Sequence, residues 1–589
     1  MKIYSLQDFL NYLEKNGELV RIKTEVDAKL EAAEISIRAL QQGMPALLFE
    51  NIKGSRFPLA MNILASDKRI ELALGKHPDQ LGEELITFME DAMPPKPKVL
   101  FKHPGITKRL FSTLPKTTFR PTSQEVIQGP GLDELPIITC WPEDGGPFIT
   151  LPQVFTCDPR NGKRNVGMYR MQVFDGKTTG MHWQIQKGGG FHYFQSQKAG
   201  KPFEVAVALG TDPALLLATV AALPEGIDEV MFSGFLRGRR TRMTKGNTIS
   251  IHVPADAEFI LEGTVHLTEL RMEGPFGDHF GHYSNASEFP VFHINIITHR
   301  KNPVYPATVV GRPPMEDKYL GNATQQVLGP LIRLIHPEIK DLWAYYEAGF
   351  HNLLVVSVEE RYRKEAMKTA LSIMGEGQLS LTKCVVTVSE GVNPRDFNAV
   401  LREIHEYFDP AYDFIMIPKV PLDTLDFTSY KMNLGSKMII DATRDNKTKE
   451  HEERNTSQNL ETIIKNIDSR IIEWNLLAET LLVVSVKDNG REVVRNLTKS
   501  PEIVWPKIVA AVSPDVDIHN QEQTIWGIFT RFDAERDIVF TEEKLVGISP
   551  VFRGKMGIDA TWKRGYPSPL VMPDEIIDRV NKKWDAYWR

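Results

Sequence analysis

Leu353-Leu354-Val355-Val356-Ser357-Val358 recurs unchanged as Leu481-Leu482-Val483-Val484-Ser485-Val486. Two further pairs follow in the same order at nearly the same separation. Residues 383–389 (KCVVTVS) match 507–513 (KIVAAVS), and 435–443 (GSKMIIDAT) match 553–561 (RGKMGIDAT). One shared hexapeptide is strand vocabulary; three matches in register indicate a duplicated module. Helical stretches, EAMKTALSIM at 365–374 and FNAVLREIHEYF at 397–408, separate the apolar runs of the first copy, so the module is α/β. The charged stretch 445–457 (DNKTKEHEERNTS) reads as the linker between the copies.

Upstream the pattern changes. Between residues 137 and 299, short β-rich runs alternate with Gly, Pro, Asp and Asn signals: ITLPQVFT, NVGMYRMQVF, FEVAVALG, NTISIHV, FILEGTVHL and FPVFHINIIT. LLLATVAAL at 215–223 is a helical insertion. The region reads as an antiparallel, barrel-like β-domain. Residues 1–120 mix helices with short strands such as ALLFE at 46–50, and the Pro- and Lys-rich stretch 91–121 reads as a linker or surface crossing. Ser5 is a helix N-cap candidate, with Leu6, Phe9, Leu10 and Leu13 on one face.

The chain has 589 residues, which predicts two to four domains. Its net charge of -6 argues against a dedicated nucleic-acid binder. The basic run Arg237, Arg239, Arg240 and Arg242 reads as a solvated loop rather than a phosphate contact. Three cysteines, Cys140, Cys157 and Cys384, form no CxxC pair and fit a reducing, cytoplasmic setting. The N-terminus lacks a signal-peptide pattern, and no stretch approaches the roughly eighteen apolar residues of a membrane span.

Four segments carry candidate chemistry. Asn165-Val166-Gly167-Met168-Tyr169-Arg170 follows an Asn-Gly turn; alternation along one strand puts Met168 and Arg170 on one face and Tyr169 on the other. An Arg inside a barrel strand needs an anionic partner, either a structural salt bridge or a site. Glu273-Gly274-Pro275-Phe276-Gly277-Asp278 can fold two carboxylates together, which beside an Arg separates acid and base roles; a water-facing acidic turn is the plainer reading. His182-Trp183-Gln184 runs into Lys187-Gly188-Gly189-Gly190, which suits close approach to a phosphate or flat cofactor, as it would a flexible loop. Glu229, alone a core acid, offers with Asn165 two hard oxygen ligands suited to Mn²⁺ or Mg²⁺. No zinc-protease, P-loop or hydrolase motif is present.

Together the spans NVGMYRMQ, TTGMHWQIQKGG, GIDEVMFSGFLRG, EGPFGDHFGHY, GRPPMED and LGSKMIIDAT, between residues 120 and 445, resemble the UbiD family of decarboxylases. The resemblance implies a multidomain α+β fold: an N-terminal α/β region (1–120), a central flavin-binding split β-barrel (121–324), a C-terminal α/β domain (325–450), and its second copy with a terminal helix (451–589). It implies reversible, non-oxidative decarboxylation of an aromatic or α,β-unsaturated acid with prenylated FMN, a divalent cation such as Mn²⁺, and K⁺. It further implies a homodimer or larger homo-oligomer, a flavin prenyltransferase that supplies the cofactor, and a place in ubiquinone or menaquinone synthesis, with transient membrane contact if the substrate is prenylated.

By motif position, Asn165 and Glu229 are the implied metal ligands. Met168, Tyr169, Arg170, His182, Trp183, Gln184, Lys187 and Gly188 are implied flavin contacts, and Lys437 a phosphate contact preferred to Lys555 for its longer match, DFTSYKMNLGSKM. Arg170, Glu273 and Asp278 form the implied catalytic network, with Asp278 the proton donor, Glu273 holding Arg170, and Arg170 orienting the substrate carboxylate. The third metal ligand of some relatives, a His, aligns with Lys187 here, leaving His182 as the alternative. Other readings are an FMN-binding split-barrel oxidoreductase, which has no use for the Glu273–Asp278 pair, and an assembly or cofactor-storage protein.

Overall fold

Alternating and continuous apolar runs become strands where expected in the computed structural model, which describes residues 3–94, 97–183, 188–223, 226–429, 431, 434–444 and 460–589. The chain divides into two units: residues 1–328 with 568–589, and residues 329–567.

The first unit opens with the helix Leu6–Lys15. Ser5 caps it reciprocally with Asp8, and Leu6, Phe9, Leu10 and Leu13 are its buried face. Parallel strands Leu19–Ile22 and Ala46–Phe49 continue into a small sheet that also takes Leu59–Met61 and Tyr305–Pro306. The segment read as a linker or surface crossing contains two short helices, Lys98–Lys102 and Pro104–Phe111. Pro104 stands in the first turn of its helix, where the missing N–H costs nothing.

The centre of this unit is a curled antiparallel sheet, nine-stranded among the described residues, in the manner of a half-barrel. Its spine is the hairpin of Phe259–Glu273 against Ser287–His299, flanked by Phe203–Leu209 and Gln153–Cys157. Phe155, Val166, Ala206, Ala208, Met243 and Ile260 lie in its apolar core. Asp212 caps the inserted helix Pro213–Val220. The single strand expected through Asn165–Arg170 is interrupted. One strand, Arg164–Met168, pairs with Gln153–Cys157, and a second, Met171–Asp175, pairs with Phe148–Ile149 and Thr178–Gly180. Tyr169 and Arg170 are the two residues between these strands, where the chain changes neighbours.

The helix Asp574–Tyr587 packs on Glu31–Gln41 in the same unit. Lys583 Nζ and Tyr587 Oη both reach buried Glu31 Oε1, at 2.9 and 2.7 Å. It belongs with the N-terminal unit rather than with the module that precedes it in sequence.

The second unit realises the duplication. Leu354–Val358, Cys384–Ser389 and Gly435–Ala442 run parallel at the centre of one five-stranded sheet, with Ile339–Ala344 and Phe414–Val420 as antiparallel edges. Leu481–Val486, Ile508–Val512 and Ser549–Ala560 repeat the arrangement, edged by Ile471–Leu477 and Ile538–Val546. Both copies contribute to one apolar core that includes Val355, Val386, Ile440, Val483, Ala510 and Trp526. The charged stretch between them lies outside the described residues.

Candidate active site

Arg170 stands between two strands, and its guanidinium is the hub of a buried cluster. Nε lies 3.4 Å from Glu273 Oε1, Nη1 pairs with Asp278 Oδ2, and Nη2 donates to Ser284 Oγ at 2.9 Å. Its plane covers the Phe276 ring at 4.7 Å, a cation–π contact. Glu273 closes its long strand and Asp278 follows the two-residue strand Phe276–Gly277, so the turn folds both carboxylates onto one cation. With Arg170 and Asp278 10% and Glu273 0% exposed at the side chain, this is a desolvated network rather than a water-facing turn.

The two carboxylates have different surroundings. Burial pushes the Asp278 carboxyl up, but the His279 hydrogen bonds and the Arg170 charge outweigh it and hold the group well below the usual carboxylate range. Oδ1 accepts from the His279 backbone N–H and lies 2.8 Å from His279 Nδ1. Glu273 shares Oε1 between Arg170 and His182 Nδ1, the latter at 2.8 Å. Its Oε2 is buried with no hydrogen-bond partner among the described residues. Burial, then the Arg170 charge, lowers the His182 pKa below its ordinary value, favouring neutral imidazole. Gly180 leaves room for Glu273, since a Cβ there would collide with Oε2.

Residues that sequence reading does not single out hold this loop in place. Asp144 Oδ1 accepts from Gly277 N at 2.8 Å, and Oδ2 from Trp141 N and Cys140 N at 2.9 and 3.1 Å. Burial raises its pKa to about 6 despite those bonds. Gln172 donates to Gly145 O at 2.6 Å and accepts from Gly274 N at 2.7 Å. Gly145 N donates to Pro275 O at 2.8 Å. Residues 144–145 and 172 therefore clamp residues 274–277 through backbone groups.

A second constellation surrounds Asn165. Asp228 caps the helix Glu229–Arg237 and pairs with Arg164, which brings Glu229 to the strand carrying Asn165. Glu229 Oε2 accepts from Val166 N at 2.9 Å. Burial raises its pKa to about 7, an acid short of positive charge. Tyr169 Oη accepts from Gly189 N at 3.1 Å and from Asn165 Nδ2 at 3.5 Å. A Cβ on Gly188 would collide with Asn165 Oδ1, so the start of the helix Gly188–Ala199 can lie against that side chain only as glycine. Trp183 packs on Tyr193 and Phe203, while its buried Nε1 lacks a partner among the described residues. A buried carboxylate seeking a cation, an amide oxygen beside it, a glycine cradle at a helix N-terminus and an unpaired indole N–H fit a phosphorylated flavin with its divalent cation.

The structure thus gathers Arg170, Glu273, Asp278 and His182 into one cluster, and Asn165, Tyr169, Gly188 and Glu229 into another. Arg170 and Tyr169, adjacent in the chain, join them. Met168 is half-buried at its strand's end. Gln184 and Lys187 lie outside the described residues. Lys437 is in the second unit, buried, with Nζ donating to Ser380 O and its pKa lowered by burial to about 8. Lys555 does the equivalent in the second copy, donating to Ser500 O and Ile503 O. The basic run is not a solvated loop. Arg237 forms a buried pair with Asp212, Arg240 donates to Leu114 O and Pro115 O, and Arg242 lies 3.4 Å from Asp256.

Three domain models of the 3-octaprenyl-4-hydroxybenzoate carboxy-lyase match the chain: the N-terminal domain at residues 10–89, the Rift-related domain at 116–313, and the C-terminal domain at 318–442 and 453–560. An uncharacterised protein of Archaeoglobus fulgidus is 47% identical over 446 residues, covering 75% of this chain and 92% of its own. A Chlamydia pneumoniae protein named as a subunit of 4-hydroxybenzoate decarboxylase is 36% identical over 589 residues, covering 99% and 98%. Among solved structures, the vanillic acid decarboxylase of Sedimentibacter hydroxybenzoicus in closed form shares 26% identity, with a TM-score of 0.68, over 79% of this chain and 99% of that one. The UbiD-class enzyme HmfF of Pelotomaculum thermopropionicum, in complex with FMN, shares 27% with a TM-score of 0.64 over 78% and 98%. With each of its domains matched, the chain belongs to the UbiD family of carboxy-lyases.

Proposed function

We propose that this carboxy-lyase removes CO₂ from a planar phenolic acid of the 4-hydroxybenzoate type, using prenylated FMN held with a divalent cation. The observation that carries the reading is the Arg170–Glu273–Asp278 network, chain-adjacent to the Tyr169–Asn165–Gly188 cradle. The 4-hydroxybenzoate ring is common to the family's description and to the name of the full-length Chlamydia relative, which favours it as the substrate core. A quinone pathway, a homo-oligomer, a K⁺ ion and a cytoplasmic setting belong to the same proposal. Among the described residues no helix is long and apolar enough to cross a membrane.

Asn165 and Glu229 would hold the cation, and Tyr169, His182, Trp183 and Gly188 would border the flavin. The bound cofactor supplies the electron sink needed as CO₂ leaves. Arg170 receives the substrate carboxylate. Doing so loosens its hold on Asp278, whose pKa then rises, because burial is left less opposed. Asp278 Oδ2 can then carry the proton that replaces CO₂ on the ring carbon. Glu273 keeps Arg170 in place, and neutral His182 keeps Glu273 in place.

Full-length protein produced with a prenyl-FMN supply is expected to bind a modified flavin, release CO₂ from 4-hydroxybenzoate-type acids, and exchange deuterium into the product. Failure to take up flavin under those conditions rejects the cofactor assignment; flavin uptake without turnover on any phenolic acid rejects the substrate class. Glu229→Gln removes the anionic ligand at nearly constant shape. Manganese and flavin content, by elemental analysis and absorbance, should both fall at least tenfold; unchanged metal content moves the cation elsewhere.

A further inference from the structure

The hairpin that ends in Glu273 carries a second cluster of ligand-type side chains, which the decarboxylase chemistry does not use. The pairing of Phe259–Glu273 with Ser287–His299 shifts register between Val265 and Leu270. His266 and Glu269 stand in that irregular stretch, and His293 faces it from the neighbouring strand, opposite Thr264. Glu269 Oε2 lies 2.6 Å from His293 Nε2 and 3.4 Å from His266 Nδ1. The two imidazoles stack at 4.3 Å. One ligand atom from each of the three residues falls within 4.8 Å of the others.

We propose that His266, Glu269 and His293 bind a divalent transition-metal ion of the Zn²⁺ type and staple the irregular stretch of this hairpin. Two imidazoles and one carboxylate form an N,N,O set suited to tetrahedral zinc, with water in the fourth position. Bonds of about 2.1 Å require ligand atoms roughly 3.4 Å apart. His266 Nδ1 already stands 3.4 Å from Glu269 Oε2, so a bound ion needs the 2.6 Å Glu269–His293 pair to open and the two imidazoles to converge, an adjustment open to the His266 side chain, which is 57% exposed. The carboxylate is already oriented from outside: Arg271 Nη2 lies 3.2 Å from Glu269 Oε1, as an outer partner that holds a ligand in place. Arg271 also lies 3.6 Å from Asp175 Oδ2, so its charge is divided between two carboxylates. The backbone beneath is anchored: Tyr193 Oη donates to Leu267 O at 3.0 Å and Gln197 Nε2 to the same oxygen at 2.9 Å.

The test is a calorimetric titration of metal-free full-length protein with ZnCl₂, on wild type, the double variant His266→Ala/His293→Ala, Glu269→Gln, and His519→Ala. His519 forms a two-residue pair with Glu473 and is the control. All four retain the Asn165–Glu229 site, which subtracts out. Wild type and the His519 variant should take up one more equivalent of Zn²⁺ than the other two, and that equivalent should raise the thermal midpoint. Equal stoichiometry in all four proteins overturns the proposal and leaves the cluster an ion pair only. Loss of the equivalent in the His519 variant also overturns it.

Discussion

Asp278→Asn should lower decarboxylation by about 10²–10⁴-fold, the range expected when a positioned proton donor is removed. Its flavin content should stay near wild type. Asn keeps the shape and an acceptor for the His279 backbone N–H, which Oδ1 satisfies at 2.8 Å in the wild type, but it has no proton of carboxylic acidity to give. None of the Asp278 contacts described above reaches Asn165, Tyr169 or Glu229, so the cradle should be undisturbed. Turnover and flavin absorbance on the same preparation check both halves. Full activity would reassign the proton to another group, with His279 next in reach.

Arg170→Met should be the more damaging substitution for the fold. Removing one partner of a buried ion network costs about 3–5 kcal/mol, because the remaining charges stay desolvated. Here two carboxylates, Glu273 and Asp278, lose their shared cation. The pH dependence has a definite sign. In wild type the native Asp278 pKa lies below its unfolded value, so its stabilisation is complete above about pH 4 and is lost as pH falls through the native value. In the variant burial is opposed by the His279 hydrogen bonds and charge alone, and the native pKa moves up from its wild-type value. The stability deficit should therefore be largest near neutral pH and shrink on acidification toward the ordinary carboxylate range. Chemical denaturation at pH 7 and pH 4.5 measures this; a deficit that grows toward acid would mean the carboxylates were never held by Arg170.

Much of this architecture is legible from local chemistry. Ser5 three residues before Asp8, ahead of an apolar face, is an N-cap before any fold is known. Repeated runs such as LLVVSV reveal a duplicated sheet because the same three central strands are written twice. Arg170, Glu273 and Asp278 stand out because charge in a buried strand or tight turn demands a partner. The roles of Asp144, Gln172 and Ser284 are not legible in that way. They act on backbone groups or on Arg170 across more than a hundred residues of chain, and side-chain patterning does not encode such pairings. The break at Tyr169–Arg170 is hidden for a related reason. Alternation runs on through Met168 and Met171, and only a change of hydrogen-bonded neighbours marks two strands. The buried pair of Arg237 with Asp212 is likewise masked by a run of like charges that reads as surface.

The return of the helix Asp574–Tyr587 to Glu31 bears on how the chain matures on the ribosome. Synthesis proceeds from the N-terminus, and domains generally fold as they emerge. The helix Glu31–Gln41 is made early, yet the lysine and tyrosine that satisfy its buried carboxylate are made only after the whole of residues 329–567. The interrupting unit can therefore reach its native state first. The unit that carries Arg170, Glu273 and Asp278 waits for residues 574–587 before this helix pair can close, so it can be completed only after the unit inserted into it has been synthesised.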